Sequence, residues 1–235
     1  MAQSPNESRF KHYPAPPDAP GCQNAFTILC NAHDTASSFL EAFTVVRKAR
    51  NAKGTPTDEE QDLLRACVVF AGAGLDSMAK QLVEDALPIV VERHPGAESM
   101  FKQHVGRHML RDATGELAPA SLAEILADRD PRAYLIRRLV DDLTSGSLQS
   151  AEEVMRIASY FDIPSRDLDI DVGFAREIFG ARNQIVHEMD VHFDQVNRNR
   201  RSRNRARVTA YTDEILRIAS VLLAEVDKRA SKDSQ

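Results

Sequence analysis

An all-α fold is predicted by three observations. Apolar residues recur every three or four positions through most of the chain, strand-like alternation never persists beyond a few residues, and the breaks between periodic segments carry helix caps, prolines and glycines. Of 235 residues, 43% are hydrophobic, which is enough to bury a sizeable core. The expected architecture is a helical bundle with additional helices, spanning residues 22–235 behind a flexible arm, residues 1–21.

The arm is read from Pro5, Pro14, Pro16, Pro17 and Pro20 with few apolar neighbours, a composition that buries too little surface to offset the entropy of ordering it. From residue 24 to 49 the positions Phe26, Leu29, Cys30, Ala36, Phe39, Leu40, Phe43 and Val46 keep a helical period, and residues 51–56 break it. Thr57-Asp58-Glu59-Glu60 then supplies a cap and an acidic first turn for a second helix, from Asp62 to about residue 90. Its small residues Ala71, Gly72, Ala73 and Gly74 allow a neighbour to approach closely. They are not a phosphate loop, which needs Gly-Lys-Ser/Thr, nor a dinucleotide fingerprint, which needs a preceding strand.

Pro88 and Pro95 bracket an expected short turn, and residues 98–111, 121–128 and 131–143 read as three shorter helices. Ser150-Ala151-Glu152-Glu153 has the composition of a capped helix start, and Ile163-Pro164 ends that helix near Phe161. Residues 166–171 form a polar link. No apolar run approaches the ~18 residues of a membrane span and no signal-peptide core is present, so a cytoplasmic protein without membrane contact is expected. Cys22, Cys30 and Cys67 are odd in number and contain no C-x-x-C pair, so they read as buried small hydrophobes or idle thiols.

Residues 171–190, DVGFAREIFGARNQIVHEMD, concentrate the chemistry. Phe174, Ile178, Ala181 and Ile185 form a core-facing stripe, and Arg176, Gly180, Asn183 and His187 line a second, polar stripe. Arg182 falls at the edge of the apolar side, where a guanidinium needs an anion or a hydrogen-bond partner. An Arg five positions before a His arises readily by chance in a chain this rich in both. An Asn directly after the Arg, on an amphipathic helix, makes the pattern specific. After it, residues 198–207 hold six arginines and no acid. With those six charges set aside from the net of −5, the remaining chain stands at −11, so charge is sharply segregated. Residues 208–230 close the chain with Tyr211, Ile215, Ile218, Leu222 and Val226 as an apolar stripe, expected to pack antiparallel on the motif helix.

Arg182-Asn183-x-x-x-His187, near the end of an all-helical chain and followed by one more long helix, resembles the signature of HEPN domains, the higher eukaryotes and prokaryotes nucleotide-binding superfamily. The resemblance implies a metal-independent endoribonuclease without a cofactor, of the toxin–antitoxin, phage-defence or stress type. It implies cleavage by 2′-hydroxyl attack to a 2′,3′-cyclic phosphate. His187 is expected to move the proton, Arg182 to hold and stabilise the phosphate, and Asn183 to orient either. It further implies a homodimer through the motif helix, in which two His187 and two Arg182 flank one cleft, with Gly180 permitting the approach. Met189 stands where toxins of one subgroup carry a tyrosine modified by a nucleotidyltransferase antitoxin, so silencing by that route is not expected. Arg198, Arg200, Arg201, Arg203, Arg205 and Arg207 are expected to bind RNA by backbone electrostatics, or to offer a handle to an acidic antitoxin or another inhibitor. Two alternatives accompany this reading: a non-catalytic HEPN-like module that binds RNA or protein, and a metal-dependent hydrolase built on His104, His108 and Asp112, with His94 as a fourth ligand.

Overall fold

The computed structural model describes residues 9–110, 116 and 118–231, and its elements are helical throughout. In chain order they are α1 (Gln23–Ala49), α2 (Asp58–Asp85), α3 (Leu87–Arg93), α4 (Pro95–His104), α5 (Pro119–Ala127), α6 (Pro131–Thr144), α7 (Ala151–Tyr160), α8 (Ser165–Leu168), α9 (Val172–Glu188) and α10 (Arg205–Ala230). The expected all-α class is what the chain adopts.

Helices α1 and α2 make an antiparallel hairpin, tied at one end by Asn24 to Asp85 and at the other by Arg47 to Glu60. Thr57 begins α2 through a full capping box: its hydroxyl accepts from the Glu60 amide, and the Glu60 carboxylate accepts from the Thr57 amide. The small residues of α2 set the spacing. A Cβ added at Gly74 would stand 2.2 Å from the Ala32 side chain, so only glycine permits α1 this close. The core that follows runs through Leu29, Leu40, Leu64, Leu75, Met78 and Leu82, all buried.

Helix α2 is the central element. Although charged residues interrupt its apolar run, it is long and apolar enough by length and composition to cross a bilayer, and more than half of that stretch is buried inside the molecule. It packs chiefly against α1 and α10, and also meets α3, α6 and α9. The expected pairing of the last helix needs correction. Helix α10 does run antiparallel to α9, but the two touch mainly where Phe174 and Glu177 meet Tyr211 and Arg207. The principal partner of α10 is α2, and its apolar stripe of Ile215, Leu222 and Val226 is buried.

Two further expectations are revised. The stretch between Pro88 and Pro95 is a helix, α3, not a turn, because Pro88 sits in its first turn, where no amide donor is required, and Pro95 opens α4 in the same way. The arm expected to be flexible is laid down on the helices from Arg9 onward. Phe10 is buried, its carbonyl accepts from His33 Nε2 at 3.0 Å, and the amides of Asp18 and Ala19 donate to Asp227 at 3.1 and 2.7 Å. Residues 1–8 lie outside the described residues. Cys22 and Cys67 are buried as expected, and burial pushes both thiols up to about 12.

Candidate functional site

The motif helix forms as its periodicity demands. Asp171 caps it by accepting from the Phe174 amide at 3.0 Å, and Ala175, Ile178, Phe179, Ala181 and Ile185 are buried. Met189 and Asp190, both with positive φ, end it. On the polar stripe, Arg176 is taken up as a brace: its Nε and Nη2 donate to Glu152 Oε1 of α7 at 3.1 and 2.8 Å. Gly180 is open, since a Cβ there would meet nothing within 4 Å.

The structure brings Arg182 and Asn183 together. Arg182 Nη1 donates to Asn183 Oδ1 at 3.0 Å, and Asn183 Nδ2 makes a long 3.5 Å contact with the Gln149 carbonyl. The aliphatic stem of Arg182 lies over Gly72 of α2, where an added Cβ would come within 3.4 Å of its Cγ. Gly72 is thus the seat of this half-buried arginine. Only one of the five guanidinium donors is used within the described residues, so the fork retains hydrogen-bonding capacity. His187 stands apart from both. It is exposed and makes no hydrogen bond or ion pair among the described residues. It shares a face with Asn183 one turn earlier, at a general i,i+4 Cβ spacing of about 5–6 Å.

The arginine run is exposed along much of its length but is not a free cationic strip. Asp190, fully buried, accepts from Arg65 Nε at 2.8 Å, from Arg203 Nε at 2.9 Å and from Arg203 Nη2. Arg65 also donates to Asp62 at 3.0 Å and to the Arg201 carbonyl at 2.8 Å. Arg200 is bidentate on Asp62, at 2.6 and 3.1 Å, and these hydrogen bonds hold that carboxyl below the ordinary carboxylate range. Arg201 pairs with Glu188, and Arg207 with Glu177. Four of the six arginines expected to bind RNA are therefore matched by carboxylates of their own chain. Arg198 and Arg205 have no carboxylate partner among the described residues. The short pairing of Val191 with Arg200 completes a loop clamped onto the start of α2.

The metal alternative loses its central ligand. His104 is buried with Nδ1 2.9 Å from the Tyr160 hydroxyl and Nε2 3.0 Å from Asp142, so both ring nitrogens are engaged. The His108 ring lies 4.8 Å away, on a π-helical turn, Val105–Met109, that continues α4. Asp112 lies outside the described residues, and His94 is bonded to the Arg229 carbonyl. Among the described residues no group of three or more His, Cys, Asp or Glu side chains is gathered as a cation would require.

Comparison of this chain with models of known protein families, with curated proteins and with solved structures finds no match. The pairing that sequence reasoning passed over is that of Arg65 with Asp190, the latter reading in the sequence only as one of an acidic patch with Glu188 and Asp194. One signal was present: Arg65 interrupts the apolar run from Leu63 to Phe70, and a cation there needs a buried acid.

Proposed function

We propose that this chain is an endoribonuclease that works without a metal, with Arg182, Asn183 and His187 as its centre. The observation that carries the reading is that one helix bears both an exposed, unengaged imidazole and a guanidinium whose stem is seated on α2 while most of its donors remain unused among the described residues. In the step envisaged, a 2′-hydroxyl oxygen attacks the adjacent phosphorus and its proton passes to an imidazole. The bond from phosphorus to the 5′-oxygen breaks, and that oxygen takes a proton from an imidazolium. The products are a 2′,3′-cyclic phosphate and a 5′-hydroxyl. Arg182 bonds the phosphate oxygens, on which charge grows in the transition state.

One chain offers one His187, and Arg182 lies about 140° from it around the helix by the ~100° advance per residue. A two-fold dimer across the α9 face supplies both a base and an acid, and lets the Arg182 of one copy serve a phosphate near the His187 of the other. The open surface at Gly180 and the exposed His187 two turns further along the same stripe support this face as the contact. A role in toxin–antitoxin, phage-defence or stress systems, with an inhibitor as a further partner, belongs to the same proposal.

The test is incubation of the purified chain with total RNA in EDTA, beside Arg182→Ala and His187→Ala. Fragments ending in cyclic phosphate from the wild type alone are expected. Normal cutting by His187→Ala overturns the reading, as does the absence of cutting by the wild type at every protein concentration at which it dimerises.

A further inference from the structure

With Arg200, Arg201, Arg203 and Arg207 each paired to a carboxylate of their own chain, Arg205 is the member of the run that joins cations from other parts of the molecule at one surface. Between the C-terminal half of α1 and the first turn of α10 runs an open groove of about 920 Å³, lined among others by Arg9, Lys11, Phe43, Arg47, Arg205 and Asp213. Four cations and one carboxylate face it, in a chain whose net charge is −5. The guanidinium carbons of Arg47 and Arg205 both lie 5.9 Å from the centre of the Phe43 ring, which gathers two like charges around one aromatic side chain. Arg47 is balanced: Nη1 donates to Glu60 at 2.9 Å and Nη2 to the Gly54 carbonyl at 2.7 Å. Arg205 has no carboxylate partner among the described residues, and it projects from a helix N-terminus, where the backbone dipole disfavours a cation. An anion in the groove would relieve both.

The arm presents the other two cations. Its backbone is pinned by the Lys11 amide donating to Asp213 Oδ1 at 2.8 Å and by the buried Phe10, so Lys11 is held at the rim while its ammonium makes no ion pair among the described residues. Arg9 is exposed and only loosely associated with Asp34, at 3.9 Å. The cations not already neutralised are exposed, and no buried polar side chain converges on a single point. That pattern suits a chain of phosphates better than a small molecule, whose orientation is fixed by a few precisely placed polar groups.

We infer that a single RNA strand is held by its phosphates in this groove, through Arg205, Lys11 and Arg9, while the paired arginines of the 198–207 segment hold the fold. This rests on the reading of the chain as acting on RNA and adds where the strand lies. The arm expected to be a loose appendage thereby becomes one wall of the binding surface.

The test uses the full chain and a fluorescently labelled 2′-O-methyl oligouridine, which cannot be cut by 2′-hydroxyl attack, with binding followed by anisotropy in EDTA over a salt series. Arg205→Glu and Lys11→Glu should each weaken binding roughly tenfold or more and flatten its salt dependence, as expected when phosphate contacts are removed. Arg205→Gln and Lys11→Gln should weaken it less, with unchanged thermal unfolding. Arg200→Ala should bind within about twofold of wild type, since its charge is already matched. Wild-type binding by the groove variants overturns the inference, as does loss of binding in Arg200→Ala alone. It is equally overturned if the oligonucleotide fails to bind while inorganic tripolyphosphate does in a groove-dependent way. Because the probe is not cleavable, groove-dependent binding without RNA cutting would sink the nuclease reading and leave the groove standing; His187-dependent cutting with normal binding by the groove variants would do the reverse.

Discussion

Arg65 and Asp190 meet at 2.8 Å in the interior although 125 residues separate them in the chain. Their side chains are 4% and 0% exposed, so neither charge has water to fall back on. Asp190 serves Arg203 as well, and the site holds the end of the motif helix against the start of α2. Removing one partner of a buried pair leaves an uncompensated charge and typically costs about 3–5 kcal/mol. Asp190→Ala should therefore lose stability on that scale in urea unfolding. A loss below about 1 kcal/mol, the range of surface pairs, would show that Arg65 and Arg203 find other partners.

Gly74 and Ala32 define the spacing of the central hairpin. With an added Cβ only 2.2 Å from the Ala32 Cβ, Gly74→Ala must push α1 away, at a cost of about 1–3 kcal/mol for overpacking, which outweighs the roughly 1 kcal/mol gained in helix propensity. The exchange Ala32→Gly with Gly74→Ala restores the space and keeps the helical composition. It should recover most of the thermal stability lost by the single variant; a double variant less stable than Gly74→Ala would sink this account.

The helices were legible because periodicity and caps are local properties, as at Thr57 and Ser150. What escaped depended on distant partners. The prolines at 88 and 95 read as breaks, since their place in a first turn shows only once the helix is known. The arm looked unable to bury surface, yet it is held by Asp213 and Asp227, both more than 200 residues away. The arginine run looked free because its counter-charges Asp62, Glu177, Glu188 and Asp190 are scattered along the chain. Arg182 was correctly placed at the edge of the apolar side, but its seat on Gly72 needed the packing of α9 on α2.

His104 gives the fold an acid sensitivity of defined sign. Burial, the largest influence, lowers its imidazole below the ordinary value of 6.5 although Asp142 opposes the shift. The folded chain keeps it neutral, whereas the unfolded chain protonates it near 6.5. Its contribution is thus fully present above that pH and is lost as the pH falls below it. Thermal midpoints measured from pH 8 to pH 5 should drop more steeply for the wild type than for His104→Gln over the lower part of that range. Parallel curves would mean that His104 is charged in the fold.

Gly72 of α2 seats the aliphatic stem of Arg182. A Cβ at that position would be in ordinary contact with the arginine stem, 3.4 Å from Cγ and 3.7 Å from Nε, so Gly72→Ala should fold and leave Arg182 in place. The larger Gly72→Leu must lift the stem off α2 and turn the guanidinium away from Asn183. If Arg182 stabilises a phosphate, a displacement on the order of 1 Å is enough to lower cutting about 100-fold. RNA cleavage by folded Gly72→Leu should then approach that of Arg182→Ala, with Gly72→Ala close to wild type. Should Gly72→Leu keep its thermal midpoint and cut RNA normally, the position of Arg182 is irrelevant to the chemistry and its contact with α2 is purely structural.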